Sequence, residues 1–461
     1  MMMVDLLVIG AGPAGMATAM MARSHDLDVM VIDEQPAPGG QIWRAVENGS
    51  DRDDILGAAY SEGRHVVEAF RDSGVHYQPE TQLWKLEPGF SAFVSSGGKA
   101  EVIQAKSIVL ATGAQERPVP FPGWTLPGVL TVGAAQILLK SATQFPKGPV
   151  WIAGSGPLPL LYAVQLLKAG GNLAGYLDTT PPGQLRLALR HLPRALLAIG
   201  DLLKGMAWLA KLSLSRTQIV RGVTELEAIG DGRVERLRYR TKRDLEATVP
   251  AAVLLVHEGV VPQLHTAMSV DCEMMWNAAQ ECFVPVVDSW GESSVPGLFI
   301  AGDGAGIAGA KAAILRGKLA GLRVAETLGR LGEADSRARP IRRQLSREMA
   351  ARPFLDAMFR PRPQVFAPSD DTIVCRCEEV TAGRVRALAG IGRPGPNKVK
   401  AASRVGMGPC QGRQCGYTVT RIIAEAQSET PSEVGYFHIR PPLKPVTIGE
   451  VASLAEDAHR T

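Results

Sequence analysis

The stretch that decides the fold is Val4-Asp5-Leu6-Leu7-Val8-Ile9-Gly10-Ala11-Gly12-Pro13-Ala14-Gly15. An almost continuous apolar run, typical of a buried parallel strand, ends in a glycine-rich turn, and residues 13–24 then have helical spacing. A second strand pattern, Asp28–Ile32, ends at Asp33 and Glu34. This order of strand, glycine turn, helix and strand predicts a βαβ unit that binds a dinucleotide.

Each glycine of the turn has a physical task. Gly10 allows the tight turn, Gly12 lets the backbone approach a pyrophosphate, and Gly15 lets helix and strand pack closely. The helix N-terminus offers free N–H groups and the positive end of its dipole to the phosphates. We expect Asp33 to accept hydrogen bonds from ribose hydroxyls, with Glu34 as the neighbour that replaces it if Asp33 does not.

Three further segments follow in an order that suits one large cofactor. Pro38-Gly39-Gly40-Gln41 is a turn that can bring backbone close to a ring system. Ser107–Gly113 is a strand pattern that ends in small residues, and Gly297–Asp303 is another, followed by a helix pattern over 304–313. Each alone can be an ordinary strand-to-helix turn, but the four together indicate a dinucleotide cofactor.

Over about residues 4–330 the chain resembles the two-dinucleotide-domain flavoproteins, the relatives of glutathione reductase and thioredoxin reductase. The resemblance implies that FAD is the cofactor. Asp303 would bond its ribityl or phosphate portion, the helix that follows would face the flavin, and Arg44 would contact the pyrophosphate. The FAD contacts that the resemblance implies are Gly10, Ala11, Gly12, Pro13, Ala14, Gly15, Asp33, Glu34, Gly40, Gln41, Arg44, Ala111, Thr112, Gly113, Gly302 and Asp303.

A second, imperfect fingerprint begins at Gly154-Ser155-Gly156 and reaches Pro159, which stands where the third glycine belongs. Proline is tolerated in a first helical turn, but its ring crowds the close helix–strand contact. The strand Leu173–Leu177 then ends at Asp178. We expect the domain fold to persist, with Gly154, Gly156 and Asp178 as candidates for a second adenine nucleotide, ATP or NAD(H). Asp178 would favour NAD over NADP by repelling a 2′-phosphate.

Cysteine is absent before Cys272, and Cys272 and Cys282 stand apart from each other. Flavin disulfide reductases need a cysteine pair beside the flavin to relay electrons. The sequence therefore disfavours a thioredoxin-reductase type of reaction. We interpret Cys272 and Cys282 as structural thiols packed as small apolar groups.

The other four cysteines, Cys375, Cys377, Cys410 and Cys415, form a compact group. The first two, in a loop, can bind one iron, and the last two, at a helix start, can bind the other. Four thiolates suit zinc or an iron–sulfur cluster, and a disulfide is a further alternative. Zinc ribbons usually have C-x-x-C on both sides, and neither pair here has that form.

The segments Cys375–Thr381 and Gly406–Gly416 resemble the [2Fe-2S] domain of bacterioferritin-associated ferredoxins, apart from a C-x4-C spacing in the second pair. This variant is similar to the one appended to the large FAD subunits of opine oxidases, hydroxyproline and proline dehydrogenases, and hydrogen cyanide synthase. That resemblance implies an α/β chain with two Rossmann-like, glutathione-reductase-like domains and a small α-helical [2Fe-2S] domain.

The same resemblance implies an electron-transferring subunit of an oxidoreductase that acts on CH–NH donors such as opines, proline or hydroxyproline. An amine-oxidase-like FAD subunit would carry the substrate site, a small ferredoxin-like subunit is a further candidate partner, and FMN is a candidate cofactor between subunits. The alternatives are a self-contained NAD(P)H-dependent FAD/[2Fe-2S] acceptor reductase and a non-catalytic cluster-bearing adaptor or redox sensor. His257 and His265 lack catalytic partners in sequence, so the catalytic residues stay unassigned.

The predicted domain boundaries follow from these motifs and from an arginine- and proline-rich stretch. They are 1–120 with 283–330 for the FAD domain, 121–282 for the inserted second domain, 331–369 for a linker, 370–430 for the [2Fe-2S] domain and 431–461 for a tail.

Composition limits the class of partner and the location. A formal net charge of +4 and 5% aromatic residues disfavour nucleic acid. Apolar runs are broken before the roughly 18 residues that a spanning helix needs, and no targeting signal is visible. We therefore expect a cytoplasmic protein that reaches the inner membrane only peripherally, through its electron acceptor. Leu192–Arg216 predicts an amphipathic helix, interpreted as a core or subunit-packing helix in preference to a membrane-surface helix.

Overall fold

The computed structural model describes residues 2–49 and 51–458, with side chains as far as residue 455. The last residues of the predicted tail 431–461 lie outside this part.

The strands in chain order are β1 (Met2–Ile9), β2 (Val29–Ile32), β3 (His76–Gln78), β4 (Gln82–Glu87), β5 (Ser91–Ser96), β6 (Lys99–Leu110), β7 (Ala114–Glu116), β8 (Val129–Thr131), β9 (Val150–Gly154), β10 (Leu173–Asp178), β11 (Gln218–Arg221), β12 (Val223–Ile229), β13 (Arg236–Thr241), β14 (Glu246–Pro250), β15 (Val253–His257), β16 (Val260–Pro262), β17 (Met274–Asn277), β18 (Cys282–Pro285), β19 (Leu298–Ile300), β20 (Ile373–Cys375) and β21 (Val380–Thr381).

The α-helices are α1 (Pro13–Arg23), α2 (Asp53–Leu56), α3 (Ala58–Arg71), α4 (Val132–Ala142), α5 (Pro157–Lys168), α6 (Gln184–Leu189), α7 (Leu192–Ala195), α8 (Ile199–Leu214), α9 (His265–Ser269), α10 (Ala310–Thr327), α11 (Ala334–Glu348), α12 (Arg352–Met358), α13 (Ala382–Ala389), α14 (Pro396–Ser403), α15 (Gly416–Gln427), α16 (Pro431–Val434) and α17 (Ile448–Ala458).

The first sheet has the order β3-β2-β1-β6-β5-β4, with β19 paired to β6. Strand β1 lies parallel to both β2 and β6, so that Leu7 is level with Met30 on one side and Ile108 on the other. Helices α1 and α10 pack together over this sheet, and a Cβ at Gly317 would overlap the Ala14 carbonyl oxygen. The apolar residues of β1 from Val4 to Ile9 are therefore buried on both faces, as the sequence predicts.

The second sheet is parallel throughout, in the order β11-β10-β9-β15-β8. It is inserted between β6 and β19 of the first sheet and carries an antiparallel sheet, β12-β13-β14, beside it. The short pair β7·β16 spans from one sheet towards the other, with Val260 opposite Glu116. The predicted α/β class with two Rossmann-like domains is confirmed.

Much of the segment 331–369, for which the sequence predicts a linker, is helical and packed. Ala334 and Ala338 are buried, and Ile341 and Leu345 continue the same face of α11, which packs against α10. This i, i+4, i+7, i+11 stripe was hidden among arginines. Further along, residues 365–366 join the core of the second domain.

The small domain contains α13, α14, α15 and the ribbon β20·β21. Two sequence predictions are confirmed here: helix 416–427, and the Thr381 cap, whose hydroxyl accepts a hydrogen bond from Arg384 N at 3.3 Å. The core of this domain continues past the predicted boundary at 430. Phe437, Ile439 and Leu443 are buried in the same core, because α16 turns the chain back over α15.

In the part of the chain that the structure describes, no helix is long and apolar enough to cross a bilayer. The segment predicted as one amphipathic helix forms α7, a 3-10 turn at Leu196–Ala198, and α8.

Candidate cofactor sites

The first glycine turn has no space for a side chain at Gly10 or Gly15. Gly10 has φ +106°, and a Cβ there would lie 2.5 Å from the Ala111 carbonyl oxygen. A Cβ at Gly15 would overlap the Gly10 carbonyl oxygen. Since neither contact can be relieved by a side-chain rotation, the turn between β1 and α1 requires these glycines.

The second glycine turn lies directly against the first. Gly39 N donates to Ala11 O at 2.9 Å, and a Cβ at Gly40 would lie 3.0 Å from Gly12 Cα. The structure thus brings together two segments that the sequence assigns to one cofactor. Their backbones form a cradle beyond the carboxyl end of β1.

The Asp33 carboxylate stabilises this cradle by accepting hydrogen bonds from two backbone N–H groups. It accepts them from Ala11 N at 2.5 Å and from Gln35 N at 2.7 Å, and burial raises its pKa. Glu34 points elsewhere and forms an ion pair with Lys444, a residue of the small domain's last segment. The two acids that the sequence treated as interchangeable therefore have different neighbours.

Two basic side chains lie beside the second glycine turn, Lys140 buried and Arg44 half-buried. Arg44 Nη2 donates to Gln41 Oε1 at 3.0 Å, and Lys140 Nζ donates to Gln41 O at 3.0 Å. Burial and the nearby Arg44 charge lower the pKa of Lys140 to about 7. Among the described residues Arg44 Nε is buried without a hydrogen-bond partner. Two desolvated cations and an open N–H fit a pyrophosphate.

The predicted helix over 304–313 is wrong in its first half. Gly302–Ala305 is a 3-10 turn, and α10 begins only at Ala310, because Gly306 and Gly309 adopt left-handed φ values of +117° and +93°. Asp303 Oδ1 accepts hydrogen bonds from Ala308 N at 2.8 Å and Gly309 N at 2.9 Å. Asp303 therefore holds the loop that leads into α10.

A chain of hydrogen bonds leaves the turn after β6. Gly113 O accepts from Gln263 N at 3.0 Å, and Thr112 Oγ1 donates to Gln263 O at 3.3 Å. Gln263 Nε2 then donates to Gln115 Oε1 at 2.9 Å, and Gln115 Nε2 donates to Arg413 O at 2.7 Å. Two glutamine side chains thus connect the predicted flavin turn to the loop between Cys410 and Cys415.

A buried histidine makes a second connection to the same loop. His265 Nε2 lies 3.0 Å from Gln411 O. Burial and the charge of Arg413 lower the pKa of His265 to about 4, so the ring is neutral and donates this hydrogen bond. The sequence left Gln115, Gln263 and His265 unassigned. Their partners lie more than a hundred residues away along the chain, and no local pattern points to them.

The four thiols come together as two contacting pairs. Cys375 accepts a hydrogen bond from Cys415, which with the backbone N–H of Gly406 lowers the pKa of Cys375 to about 6. Cys377 donates to Cys410, and burial raises the pKa of Cys377. The sequence analysis assigns Cys375 and Cys377 to one iron and Cys410 and Cys415 to the other. In the structure, each contacting pair joins one cysteine from each loop.

The donor set fits a binuclear cluster. Two thiol pairs would supply the two thiolates per iron of a [2Fe-2S] cluster. Across residues 2–49 and 51–458, no three His, Cys, Asp or Glu side chains are grouped so that they could hold one metal ion. Lys400 and Arg413 lie near Cys415 and Cys410 and offset negative charge. At Gly408 a Cβ would overlap Cys377, so this loop is tightly closed.

The second glycine fingerprint is covered by another part of the chain. Gly156 has φ +105°, and a Cβ there would lie 4.0 Å from Phe359, which follows α12. Ser155 Oγ and Thr179 Oγ1, one in the turn and one after β10, are buried and have no partner among the described residues. Asp178 Oδ1 accepts from Thr180 N at 2.9 Å.

A cavity of about 290 Å³ opens beyond the ends of β10 and β11. Thr179, Lys242 and Arg362 are among its lining residues. Arg362 is also ion-paired with Glu258 at 2.8 Å, and both are buried. The exposed lining of this cavity is mainly apolar, and the proline- and arginine-rich segment forms one of its walls.

The buried pair of His257 and Glu116 connects the ends of β15 and β7. His257 Nδ1 lies 2.7 Å from Glu116 Oε1, and Glu116 Oε2 accepts from Gly133 N at 2.8 Å, at the start of α4. We therefore interpret His257 as a structural residue. No sequence pattern points to its partner, Glu116.

A mixed sheet and a parallel sheet, each followed by a glycine turn, together with a group of four thiols in an added domain, define a flavin-dependent oxidoreductase. Residues 4–317 match the family model "Pyridine nucleotide-disulphide oxidoreductase", which supports FAD, and residues 373–455 match "Sarcosine oxidase A3 domain". The A subunit of opine oxidase from Rhizobium meliloti is 43% identical over 98% of this chain and 99% of its own. The chain belongs to the family of opine oxidase A subunits.

Two further comparisons agree with this membership. The HcnB subunit of hydrogen cyanide synthase from Pseudomonas aeruginosa is 31% identical over 98% of this chain and 99% of its own. The crystal structure of L-proline dehydrogenase from P. horikoshii superimposes with a TM-score of 0.72 at 20% identity, covering 97% of this chain and 79% of that one. The latter shows that the fold is shared over nearly the whole length.

Proposed function

We propose that this chain is the electron-transferring FAD/[2Fe-2S] subunit of a heteromeric amine, imino-acid or opine dehydrogenase or oxidase. It would receive electrons from the flavoprotein subunit that is its partner and pass them to an acceptor. Relatives named as the A subunit of opine oxidase, at 43% identity over 98% of the chain, support membership of a multisubunit oxidase. Substrates with a CH–NH bond are inferred from the names of these relatives.

The observation that carries the proposal is the connection through Gln263 and Gln115. It runs from the Thr112–Gly113 turn to the backbone of Arg413, which lies between two of the four cysteines. Two redox sites held in one rigid network suit stepwise electron passage. FAD supplies two-electron chemistry with single-electron release, and a [2Fe-2S] cluster takes one electron at a time.

Each group of residues has a role in this proposal. The Gly10–Gly15 turn with Gly40, Arg44 and Lys140 would bind the FAD pyrophosphate. Cys375, Cys377, Cys410 and Cys415 would hold the cluster. Gln115 and neutral His265 position the cysteine loop, because each binds a backbone carbonyl within it. These are positioning residues, and we assign no acid or base to this chain.

The substrate site would lie on an amine-oxidase-like FAD subunit. The further components that we propose for the complex are a small ferredoxin-like subunit, and FMN bound between subunits. A second adenine nucleotide, ATP or NAD(H), would bind at Gly154, Gly156 and Asp178, where Ser155 and Thr179 offer hydroxyls.

The test compares the single chain with the reconstituted complex. The purified chain should contain FAD and iron but should not oxidise opines or proline, and addition of the partner subunit should restore turnover. Turnover by the single chain would contradict the proposal.

Cys410→Ser should remove the cluster absorbance and the bound iron while the flavin bands remain, because one iron loses a ligand. Cys282→Ser is the matched control, since Cys282 is buried but lies outside the cluster. Unchanged iron content in Cys410→Ser, or bound zinc in the wild-type protein, would refute the assigned cluster.

The second candidate function is a self-contained NAD(P)H-dependent acceptor reductase. The glycine turn at Gly156 favours it, while Pro159 and the cover by Phe359 disfavour it. Anaerobic mixing with NADH or NADPH in a stopped-flow instrument separates the two functions. Rapid bleaching of the flavin would support the reductase, and absence of bleaching would support the electron-transferring role.

A further inference from the structure

The segment α6–α8 exposes an unusual amount of apolar surface. The exposed large apolar side chains between residues 185 and 214 are Leu185, Leu187, Leu189, Leu196, Leu197, Ile199, Leu203, Met206, Leu209 and Leu214. Isolated exposed leucines are ordinary, but a contiguous patch on a folded chain indicates a contact surface. We call this set the apolar patch.

Helix α8 shows the geometry most clearly. Ile199, Leu203, Met206, Ala210 and Leu214 recur at helical spacing and are all exposed, with Leu203 at 52% and Met206 at 57%. The opposite face carries Trp208 and Leu212, which pack against the main core. The helix is therefore apolar on the protein side and on the outward side.

Positive charge surrounds the patch. Between residues 184 and 216 the charged side chains are Arg186, Arg190, Arg194, Lys204, Lys211 and Arg216 against the single acid Asp201, and all are exposed. The whole chain has a formal net charge of only +4, so its positive charge is concentrated here.

A neighbouring helix extends this basic border. Helix α11 contacts the 3-10 turn at Leu196–Ala198, and α12 packs against α6 and α7. The exposed arginines of α11 are Arg337, Arg339, Arg343 and Arg347. The arginine-rich stretch thus borders the apolar patch.

We propose that the apolar patch binds the surface of a membrane that contains anionic lipid. Aliphatic side chains on the outward face would enter the boundary between head groups and acyl chains, while the bordering lysines and arginines contact lipid phosphates. No helix in the described residues is able to span the bilayer, so the segment lies on the surface. This inference does not depend on the proposed electron transfer.

The composition of the patch favours lipid over a protein partner. Cores of protein–protein interfaces are rich in aromatic residues and poor in lysine. In α8 the aromatic Trp208 is turned to the protein core, and the outward face is aliphatic with Lys204 and Lys211 at its side. Aliphatic residues next to basic ones are typical of helices that lie at membrane surfaces.

The test is vesicle flotation of the complete complex. Vesicles of phosphatidylcholine mixed with phosphatidylglycerol should carry the protein, vesicles of phosphatidylcholine alone should not, and raised salt should weaken binding. Leu203→Gln with Met206→Gln should lower the partition coefficient by roughly tenfold or more, because two apolar side chains are lost. Lys204→Gln with Lys211→Gln should lower it by about fivefold per cation.

Leu245→Gln with Arg243→Gln is the matched control. Leu245 is 56% exposed, like the patch residues, but lies with Arg243 in the turn between β13 and β14. This variant should float as the wild-type protein does, and absorbance spectra should show that every variant retains its flavin.

Three outcomes would overturn the proposal. The first is wild-type protein that stays off anionic vesicles, and the second is equal flotation by the patch variant. The third is loss of the partner subunit from the patch variant while the wild-type complex ignores vesicles, which would assign the patch to a protein interface.

Discussion

The two glycine fingerprints of this chain each lie between a buried strand and a helix, but their surroundings in the fold differ. At the first, Gly15 allows α1 to touch the strand, and the Gly39–Gly40 turn lies against Gly12. At the second, Pro159 stands in place of the third glycine and Phe359 covers the turn. The difference teaches that the domain fold persists where the third glycine of the motif is lost.

The segments that lie beyond the carboxyl ends of the strands also differ between the two sheets. The turn after β6 is connected through Gln115 to the cysteine loop, while the carboxyl ends of β9 and β10 face the segment that contains Phe359 and Arg362. The strand ends of the first sheet therefore face the cysteine loop, and those of the second sheet face a packed segment of the chain. The predictions below test this contrast.

The largest expected effect is loss of FAD. In Gly15→Ala the added methyl group overlaps the Gly10 carbonyl oxygen, so the turn must open and the purified protein should contain essentially no flavin. Pro159→Ala changes the corresponding position of the second fingerprint and should retain full flavin. Flavin absorbance per chain measures both, and equal flavin in the two variants would contradict the contrast.

A smaller effect is expected at the connection to the cysteine loop. Gln115→Ala leaves the Arg413 carbonyl without its donor, at a cost of about 1–3 kcal/mol. We expect iron to be lost to a chelator roughly tenfold faster while FAD content stays unchanged. Gln144→Ala, an exposed glutamine after α4, is the control. Iron release at the wild-type rate would show that Gln115 does not support the loop.

Lys140 lies at a contact between the two domains, because α4 belongs to the second domain and its Lys140 contacts the Gly40–Gln41 turn of the first. Replacing Lys140 tests this contact. The folded pKa of Lys140, about 7, is below that of a free lysine, so above this pH the unfolded chain binds more protons than the folded one. Stability should therefore rise with pH, by about 1 kcal/mol per unit. In Lys140→Met this slope should disappear, as measured by urea denaturation of the apoprotein at about pH 7 and about pH 9. An unchanged slope would exclude Lys140 as its source.

The smallest effect concerns the covered turn. Phe359→Ala removes the ring beside Gly156, and the dissociation constant for ATP or NAD should fall roughly threefold, less than about 1 kcal/mol. Isothermal titration calorimetry measures it. Unchanged affinity would show that Phe359 does not limit access to the second turn.

The sequence predicted the features that are local. The strand–turn–helix order around Gly10, the second sheet beginning at Val150, helix 416–427 and the Thr381 cap all depend on residues close together in the chain, and the structure confirms them. The cofactor contacts and the cluster ligands stay predictions.

What the sequence could not predict depends on distant partners. Lys140 reaches Gln41, and Gln115 reaches Arg413, across separations that leave no periodic pattern. The apolar stripe of α11 lies among arginines, so its helical pattern is weak in the sequence. Beyond residue 430, only single apolar residues such as Phe437 enter the core of the small domain, and they form no periodic pattern. Long-range packing decided these points.

The last described segment closes the molecule over its first sheet. Leu443 N donates to Trp84 O at 2.7 Å, Gln82 Nε2 donates to Pro445 O at 3.0 Å, and Ala100 N donates to Ser453 Oγ at 2.9 Å. During translation the nascent chain presents β4–β6 long before the ribosome has made the residues that clasp them. These contacts should form late, and only then is the last segment of the small domain held against the first sheet.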